Sequence, residues 1–267
     1  MIAVGYVLGL VIGICLGMMG AGGAILTIPV LVYIFDLSPL TSTTYSLFIV
    51  GITAFIGSVG YVSNRLYNLK AVIFFGVPSL VSVWITGKII MPAIPNELFN
   101  IGNTLITKDL LIMLLFSILM ILSSIVMIRS SRVIRKEDYA ETKRFRYGLI
   151  LFIGLFIGFL TGLLGVGGGF LIIPALVILA NLPMKIAIGT SLALITVNSL
   201  LGFVSKIGPE ILIDWGFLLF FSSLAAAGIL TGVYLSKYVS GERLKFYFGY
   251  FVLVLGIIVL GQEFFIK

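Results

Sequence analysis

Ten runs of apolar residues, separated by short polar stretches, follow one another along the chain. A helix that spans a membrane needs about 20 apolar residues, and most of the runs meet or approach that length. The second run in each half has only about a dozen residues and is too short to span upright. The pattern predicts a polytopic helical membrane protein with runs at Ala3–Met19, Ala24–Phe35, Leu40–Val62, Leu69–Ile90, Leu105–Ile128, Tyr147–Leu164, Phe170–Ala180, Ile186–Ser205, Trp215–Leu235 and Phe246–Glu263.

The second half of the chain repeats the first at an offset of 145 residues without a gap. Chance similarity between apolar segments does not place so many glycines in register. Each copy has an odd number of segments when the short one is counted as a crossing, so the second copy enters the membrane in the opposite orientation. A re-entrant short segment, the alternative, would change this parity. The aligned glycines are Gly9, Gly13, Gly17, Gly20, Gly22 and Gly23 with Gly154, Gly158, Gly162, Gly165, Gly167 and Gly168.

These observations predict an all-α polytopic membrane protein built from two inverted repeats. Each repeat has about five hydrophobic segments, one of them a short helix broken by glycine. We expect a first membrane repeat over residues 1–128, a basic linker over 129–147 and a second membrane repeat over 148–267.

The linker at 129–147 gives the expected orientation. It holds seven Lys and Arg residues and three acidic residues, and short basic loops stay in the cytoplasm. The expected topology therefore has a cytoplasmic linker in the cell membrane, with both termini outside. Lys108 and Lys206 are the two basic residues that fall on the outer side of this arrangement. Because Met1-Ile-Ala-Val-Gly contains no basic residue, we expect the first run to be a retained membrane segment.

Composition agrees with lipid as the main solvent. Hydrophobic residues make up 60% and charged residues 10% of the 267 residues, whereas soluble domains carry about 25% charged residues. The net charge of +7 lies mostly in the linker, which argues against a nucleic-acid partner. The chain has no histidine and one cysteine, Cys15. We therefore expect no catalytic residue, metal ligand or cofactor.

The strongest local motif is a cluster of glycines just before the short run of each half. Glycine costs a helix about 1 kcal/mol per residue relative to alanine, so each cluster predicts a break inside the membrane. Backbone N–H groups at the start of the following short helix form an anion site without a charged side chain. Close helix packing is the alternative role. The candidate substrate-binding glycines are Gly20, Gly22, Gly23, Gly165, Gly167, Gly168 and Gly169.

Hydroxyl and amide side chains form a second candidate group in the third run of each half. Ser46 aligns with Ser191 and Thr53 with Asn198, and Thr190 precedes Ser191. Hydrogen bonding between helices explains such residues as well as substrate binding does. Their recurrence in both halves makes them candidate substrate contacts, in a site expected at mid-membrane between the two glycine breaks.

The glycine–proline motifs resemble the sulfite exporter TauE/SafE family of membrane permeases. The motifs are GMMGAGGAILTIP, its fuller copy GLLGVGGGFLIIPALVIL and the following KIAIGTSLALITVNSLLGF. The resemblance covers nearly the whole chain and implies transport of small anions such as sulfite or sulfonates. It also implies that Gly165 to Gly169, Pro174, Thr190, Ser191 and Asn198 lie near the site. The first copy departs from the pattern, because Ala24 stands where the second copy has Gly169.

The sequence therefore predicts a permease or exporter of small organosulfur or other organic anions that works by alternating access around the glycine breaks. The partners are the anion, the lipid bilayer and, where transport is coupled, a proton or sodium ion. The alternative is a membrane assembly or scaffold protein that transports nothing. An intramembrane enzyme ranks last, because the chain shows no nucleophile–base pair and no paired carboxylates.

Overall fold

A computed structural model describes residues 2–20, 22–95, 97–101, 104–132, 147–164, 168–178, 182–207, 213–239 and 241–265. In the first half the elements are α1 (Ile2–Met19), α2 (Gly22–Tyr33), α3 (Pro39–Ser63), α4 (Leu69–Ile85), a π-helical turn (Thr86–Ile90), α5 (Met91–Ala93), β1 (Glu97–Ile101), β2 (Thr104–Thr107) and α6 (Lys108–Arg132). In the second half they are α7 (Tyr147–Leu164), α8 (Gly169–Ile178), α9 (Met184–Lys206), α10 (Trp215–Leu235) and α11 (Gly241–Phe265).

The predicted all-α polytopic class is confirmed. Five helical spans in the described residues are long and apolar enough to cross a membrane, and shorter apolar helices accompany them. Large apolar side chains on the outer faces of the bundle are exposed, among them Phe152 and Val7. Such a surface suits lipid rather than water. The five spans are Pro39–Ser63, Leu69–Ala93, Lys108–Arg129, Met184–Lys206 and Trp215–Leu235.

One short hairpin departs from the predicted helical pattern. The run predicted over Leu105–Ile128 begins as strand β2, and α6 starts only at Lys108. Strands β1 and β2 are antiparallel, with Ile101 opposite Thr104. The two residues between the strands are glycine and asparagine, which favour two-residue hairpin loops. The apolar pattern does not show this local turn preference.

Helices α1 and α10 pack side by side and run in the same direction. The glycine face of α1 lets the two backbones approach closely, so that a side chain at Gly13 would meet the main chain of Ala225. Residue numbers rise together along both helices, with Gly9 against Phe221, Gly13 against Ala225 and Gly17 against Ile229.

Helices α7 and α4 repeat this arrangement. They are the helices that align with α1 and α10 in the 145-residue offset. Residue numbers again rise together, with Gly154 against Phe75, Gly158 against Ser79 and Gly162 against Val83. Close helix packing is therefore the role of these glycines.

The two remaining long pairs are antiparallel. Helix α3 packs against α9 and α6 packs against α11. Residue numbers fall along one helix as they rise along the other, with Gly51 against Leu200, Gly57 against Leu192, Gly249 against Ile128 and Gly256 against Ile121.

Each short helix runs back toward the end of the bundle at which the helix before it begins. Gly23 at the start of α2 lies against Ile12 and Leu16, and Phe35, just after α2, lies against Gly5. In the other half, Gly168 lies against Thr161. The two predicted short runs are thus the second arms of the helical hairpins α1–α2 and α7–α8.

The bundle has two ends that serve as reference points. The linker end is where α6 ends and α7 begins, and the terminal end is where α1 begins and α11 ends. Helices α1, α3, α6, α8 and α10 run toward the linker end, and the others run toward the terminal end. Each helix of the second half therefore runs opposite to its aligned helix in the first half. The inverted repeat itself stays a prediction.

We expect Gly158→Ala to destabilise the protein by about 1–3 kcal/mol, the usual cost of overpacking. Its added carbon would lie 2.7 Å from Ser79 Cα, where only a shift of backbone relieves the clash. Thermal unfolding in detergent measures the effect. Gly148→Ala, in the same helix with no atom within 4 Å of the added carbon, is the control. Equal melting temperatures for the two variants would contradict the packing role.

Candidate functional site

The first glycine turn joins α1 to α2 near the linker end. Gly20 has φ of 72°, a left-handed conformation that glycine adopts without strain, and its N–H donates to the Leu16 carbonyl at 2.7 Å. The Ser191 hydroxyl on α9 donates to the Ile188 carbonyl at 2.8 Å and lies 3.5 Å from the Gly20 carbonyl oxygen. Gly20 and Ser191, both predicted site residues, are thus brought together.

Tyr61, in the last turn of α3, contacts the helix end next to this first turn. Its buried hydroxyl lies 3.0 Å from the Gly17 carbonyl oxygen and 3.0 Å from the Ser236 hydroxyl. The contact joins α3, α1 and the residue that follows α10. The side chains of Tyr61 and Ser191 around this turn are therefore already hydrogen-bonded.

The second glycine turn joins α7 to α8 near the terminal end. Gly168 has φ of 68°, and its carbonyl accepts from the N–H groups of Leu171 and Ile172 at 2.9 Å. Gly169 begins α8. Gly165 and Gly167 lie outside the described residues. Gly168 and Gly169 are buried, so α8 begins inside the bundle.

Lys206, the last residue of α9, places a charge beside the second turn. Only 9% of the residue is exposed. Its Nζ lies 3.4 Å from the carbonyl oxygen of Leu163 at the end of α7, and 3.5 Å from the Thr43 hydroxyl on α3. Both distances are long for hydrogen bonds of an ammonium group. The charged side chain that acts on Lys206 is a second lysine, Lys108, which repels it.

Ser46 lies on α3 three residues after Thr43, on the same helix face. The residue is fully buried, and its hydroxyl has no hydrogen-bond partner in the described part of the chain. An unpaired buried hydroxyl is unusual, because leaving one costs about 1–3 kcal/mol. Ser46 is thus a free donor on the face of α3 that carries the Lys206 contact.

The other predicted polar residues already have partners. The Thr53 hydroxyl donates to the Ile49 carbonyl of its own helix. Thr190 donates to the Ile186 carbonyl at 2.7 Å and accepts from the Asn68 N–H at 2.9 Å. These bonds stabilise helix α3 and the loop before α4, respectively.

Asn198 is paired with Ser79 of α4. The amide nitrogen and oxygen of Asn198 lie 3.0 and 3.1 Å from the Ser79 hydroxyl. Asn198 also borders a cavity of about 160 Å³ between α4 and α9 whose other lining residues are apolar. These contacts fit a structural role for Asn198 between two helices.

The two glycine turns lie at different depths. Ser191, beside the first turn, and Lys206, beside the second, are 15 residues apart on α9 (206 − 191). A helix rises about 1.5 Å per residue, so the separation is about 22 Å. Ser46 and Ser191 thus lie near different turns, and the mid-membrane site between the turns stays a prediction.

Sequence reasoning missed Tyr61 and Lys206 as neighbours of the turns. The signal was present, because the offset of 145 aligns these two residues. Tyr61 lies in the last turn of α3 and Lys206 ends α9, and each contacts a carbonyl oxygen near the end of the first helix of its half. Among the described residues, no group of three or more His, Cys, Asp or Glu side chains is arranged to hold a metal ion.

A bundle of apolar helices long enough to cross a membrane defines a polytopic membrane protein. The model of the family described as "Sulfite exporter TauE/SafE" matches residues 5–259. The chain belongs to this family and is a membrane transporter.

Curated relatives agree with this assignment. The chain is 29% identical to a "Probable membrane transporter protein" of Methanocaldococcus jannaschii, over 74% of this chain and 70% of the relative. It is 28% identical to "Probable membrane transporter protein YunE" of Bacillus subtilis, over 74% of this chain and 76% of the relative. A "Probable membrane transporter protein" of Xylella fastidiosa (strain Temecula1) is 24% identical over 94% of this chain and 92% of its own length. No solved structure matches the chain.

We expect a double-mutant cycle on Ser79→Ala and Asn198→Ala to give a coupling of about 0.6–2 kcal/mol, the usual range for hydrogen bonds between membrane helices. The free energy of unfolding in detergent is the quantity measured. Ser79→Ala combined with Thr53→Ala is the control, because Thr53 bonds only within its own helix. Zero coupling between Ser79 and Asn198 would show that the pair does not hold α4 to α9.

Proposed function

We propose that the protein carries small anions across the cell membrane, namely sulfite, sulfonates or related organosulfur and organic anions. The observation that carries the proposal is that α2 and α8 both begin inside the bundle at glycine turns. Their first N–H groups lack partners within the helix and bear positive partial charge. Such helix starts bind anions. Membership of the family described as "Sulfite exporter TauE/SafE" supports this substrate class.

Alternating access around the two glycine turns is the proposed mechanism. The helix directions support an inverted repeat, because α1 packs on α10 as α7 packs on α4, and aligned helices run in opposite directions. Exchange of the two halves between equivalent arrangements would open the interior first at one end and then at the other. The proposed contacts are the main chains of Gly20, Gly22 and Gly23 and of Gly165, Gly167, Gly168 and Gly169, with the hydroxyls of Ser46 and Ser191 beside them.

Coupling is proposed to come from the anion itself or from a bound cation. Neither carboxylates nor histidines lie in the middle of the described spanning helices, so a side-chain proton relay lacks its parts. Protonation of the anion would then give pH-dependent flux. A sodium ion held by carbonyl and hydroxyl oxygens is the other form of coupling.

Flux into proteoliposomes tests the proposed function. The purified protein is reconstituted, and uptake of labelled sulfite and of a labelled sulfonate is followed with and without sodium and pH gradients. We expect saturable uptake above that of empty liposomes. A scaffold protein would give none, so absence of flux for every anion and gradient would reject transport in favour of that alternative.

We expect Gly167→Val to reduce this flux at least tenfold while the protein still folds and inserts. The added side chain would cover main-chain donors that the anion needs at the second turn. Gly261→Val is the matched control, because no atom lies within 4 Å of a carbon added at Gly261. Size-exclusion profiles of both variants report folding. Normal flux through well-folded Gly167→Val would place the pathway elsewhere.

We propose that the linker end faces the cytoplasm. Single cysteines at Thr142→Cys in the linker and Asn103→Cys between the strands, in a Cys15→Ala background, test this orientation. A membrane-impermeant maleimide applied to intact cells should label Asn103→Cys and spare Thr142→Cys until the cells are broken. The reverse pattern would contradict the positive-inside assignment.

A further inference from the structure

We propose that the transported anion is held most tightly at the second glycine turn, by the Lys206 ammonium and the hydroxyl of Ser46, and that the first turn offers it main-chain N–H groups only. The expected ligand is a small oxyanion with at least two oxygens, such as sulfite or a sulfonate. This inference rests on the proposed function and narrows it to one site near the terminal end.

The charge of Lys206 is the first reason. A buried ammonium is costly unless a counter-charge or several good hydrogen bonds offset its desolvation. Lys206 has two long contacts with neutral oxygens, at 3.4 and 3.5 Å. Lys108, 7% exposed, is near enough to add repulsion. An anion beside Lys206 would relieve both costs.

Lys108 itself is occupied differently. Its Nζ donates to the carbonyl oxygens of Met91 and Ile94 at 2.5 and 3.3 Å. These carbonyls lie in and just after the short helix α5. Carbonyls at a helix end carry negative partial charge and stabilise a cation. Lys108 therefore raises the local positive potential, while Lys206 remains the ammonium available for the anion.

The free hydroxyl of Ser46 is the second, independent reason. Thr43, which Lys206 contacts, and Ser46 lie on one face of α3, about one helical turn apart. The Thr43 hydroxyl donates to the Leu40 carbonyl at 2.8 Å, whereas the Ser46 hydroxyl has no partner in the described residues. An oxyanion at this face would accept the hydrogen bond that Ser46 leaves unmade.

The aligned residues at the first turn lack both features. Tyr61 stands where the second half has Lys206, and its hydroxyl is neutral and hydrogen-bonded. Ser191 stands where the first half has Ser46, and it donates to the Ile188 carbonyl. Among the residues that the structure describes, the first turn thus offers neither an unpaired charge nor a free hydroxyl. This difference selects the second turn.

The Leu163 carbonyl explains how a lysine site can still release its ligand. When the anion departs, the ammonium keeps its contacts with Leu163 and Thr43. The unoccupied state is therefore less costly than an isolated buried charge. Exchange of the ammonium between the anion and these oxygens permits both binding and release.

The test is anion-dependent thermal stability of the purified full-length protein in detergent, with sulfite and methanesulfonate as probes. We expect both anions to raise the melting temperature of the unsubstituted protein in a saturable way. Lys206→Met should weaken the apparent affinity at least tenfold, as loss of a charged hydrogen bond would. Tyr61→Phe, the aligned control, should lower the melting temperature without anion and keep the anion response.

Ser46→Ala provides a second variant that does not depend on the folding of Lys206→Met. Because its hydroxyl is unpaired and buried, its removal should leave stability without anion unchanged or raise it, while anion affinity falls about two- to tenfold. Ser222→Ala removes another buried unpaired hydroxyl, on α10 outside the helices of the second turn. Like Ser46→Ala, Ser222→Ala should leave the melting temperature without anion unchanged or raise it. Unlike Ser46→Ala, it should bind the anion as tightly as the unsubstituted protein.

An unchanged anion affinity in Lys206→Met and Ser46→Ala would overturn the inference, and so would an unsubstituted protein that neither anion stabilises. Flux measured on the same preparations separates this failure from that of the proposed function. Transport with an unaltered KM in both variants would reject the site and retain the transporter. Absence of flux in the unsubstituted protein would reject the proposal that sulfite and sulfonates are transported. The stability measurements would still decide whether the second turn binds an oxyanion.

Discussion

Close contact between helix backbones is the interaction on which the rest of this structure depends. In lipid, apolar side chains gain little by leaving one apolar neighbour for another, so dispersion contacts between closely packed helices hold the bundle together. The glycine faces of α1 and α7 provide that contact against α10 and α4. The two pairs fix the depth at which each first helix ends, and therefore where each glycine turn lies.

The turns themselves are constrained by the backbone. A helix that reverses direction within a membrane exposes N–H and C=O groups, which are tolerated only where protein or a polar cavity surrounds them. Burial of the turn beneath α3 and α9 meets this requirement at Gly20, where a main-chain hydrogen bond and Ser191 lie close by. The same requirement makes each turn the natural place for a polar ligand. Structural need and ligand binding thus fall on the same few residues.

Much of the architecture followed from the sequence, because it depends on regular spacing. The apolar runs predicted the long helices, and the glycines that reveal the repeat lie on the faces of α1 and α7 that pack on other helices. The short runs after the glycine clusters marked α2 and α8. The β-hairpin before α6 was missed, because its strands are few residues long and its turn chemistry is local.

The candidate site was less predictable. Ser191 and Asn198 are alike in sequence as polar residues on one helix, yet the first lies beside a glycine turn and the second pairs with Ser79. Which role applies depends on neighbours more than 100 residues away along the chain. In the sequence, Lys206 stands out only as an exception to the charge pattern. Its burial beside Leu163 depends on the tertiary fold. Sequence identifies polar residues in membrane helices, but only packing shows which of them are already paired.

The pairing of α1 with α10 also has a consequence for biosynthesis. Gly13 and its neighbour Ala225 are 212 residues apart (225 − 13). At a translation rate of about 5–20 residues per second, α1 enters the bilayer about 10–40 seconds before α10 exists. During that interval its glycine face has no native neighbour. The first helix of each half packs on a helix of the other half, so neither half is a self-contained folding unit. Maturation of this protein must therefore wait until nearly all of the chain has left the ribosome.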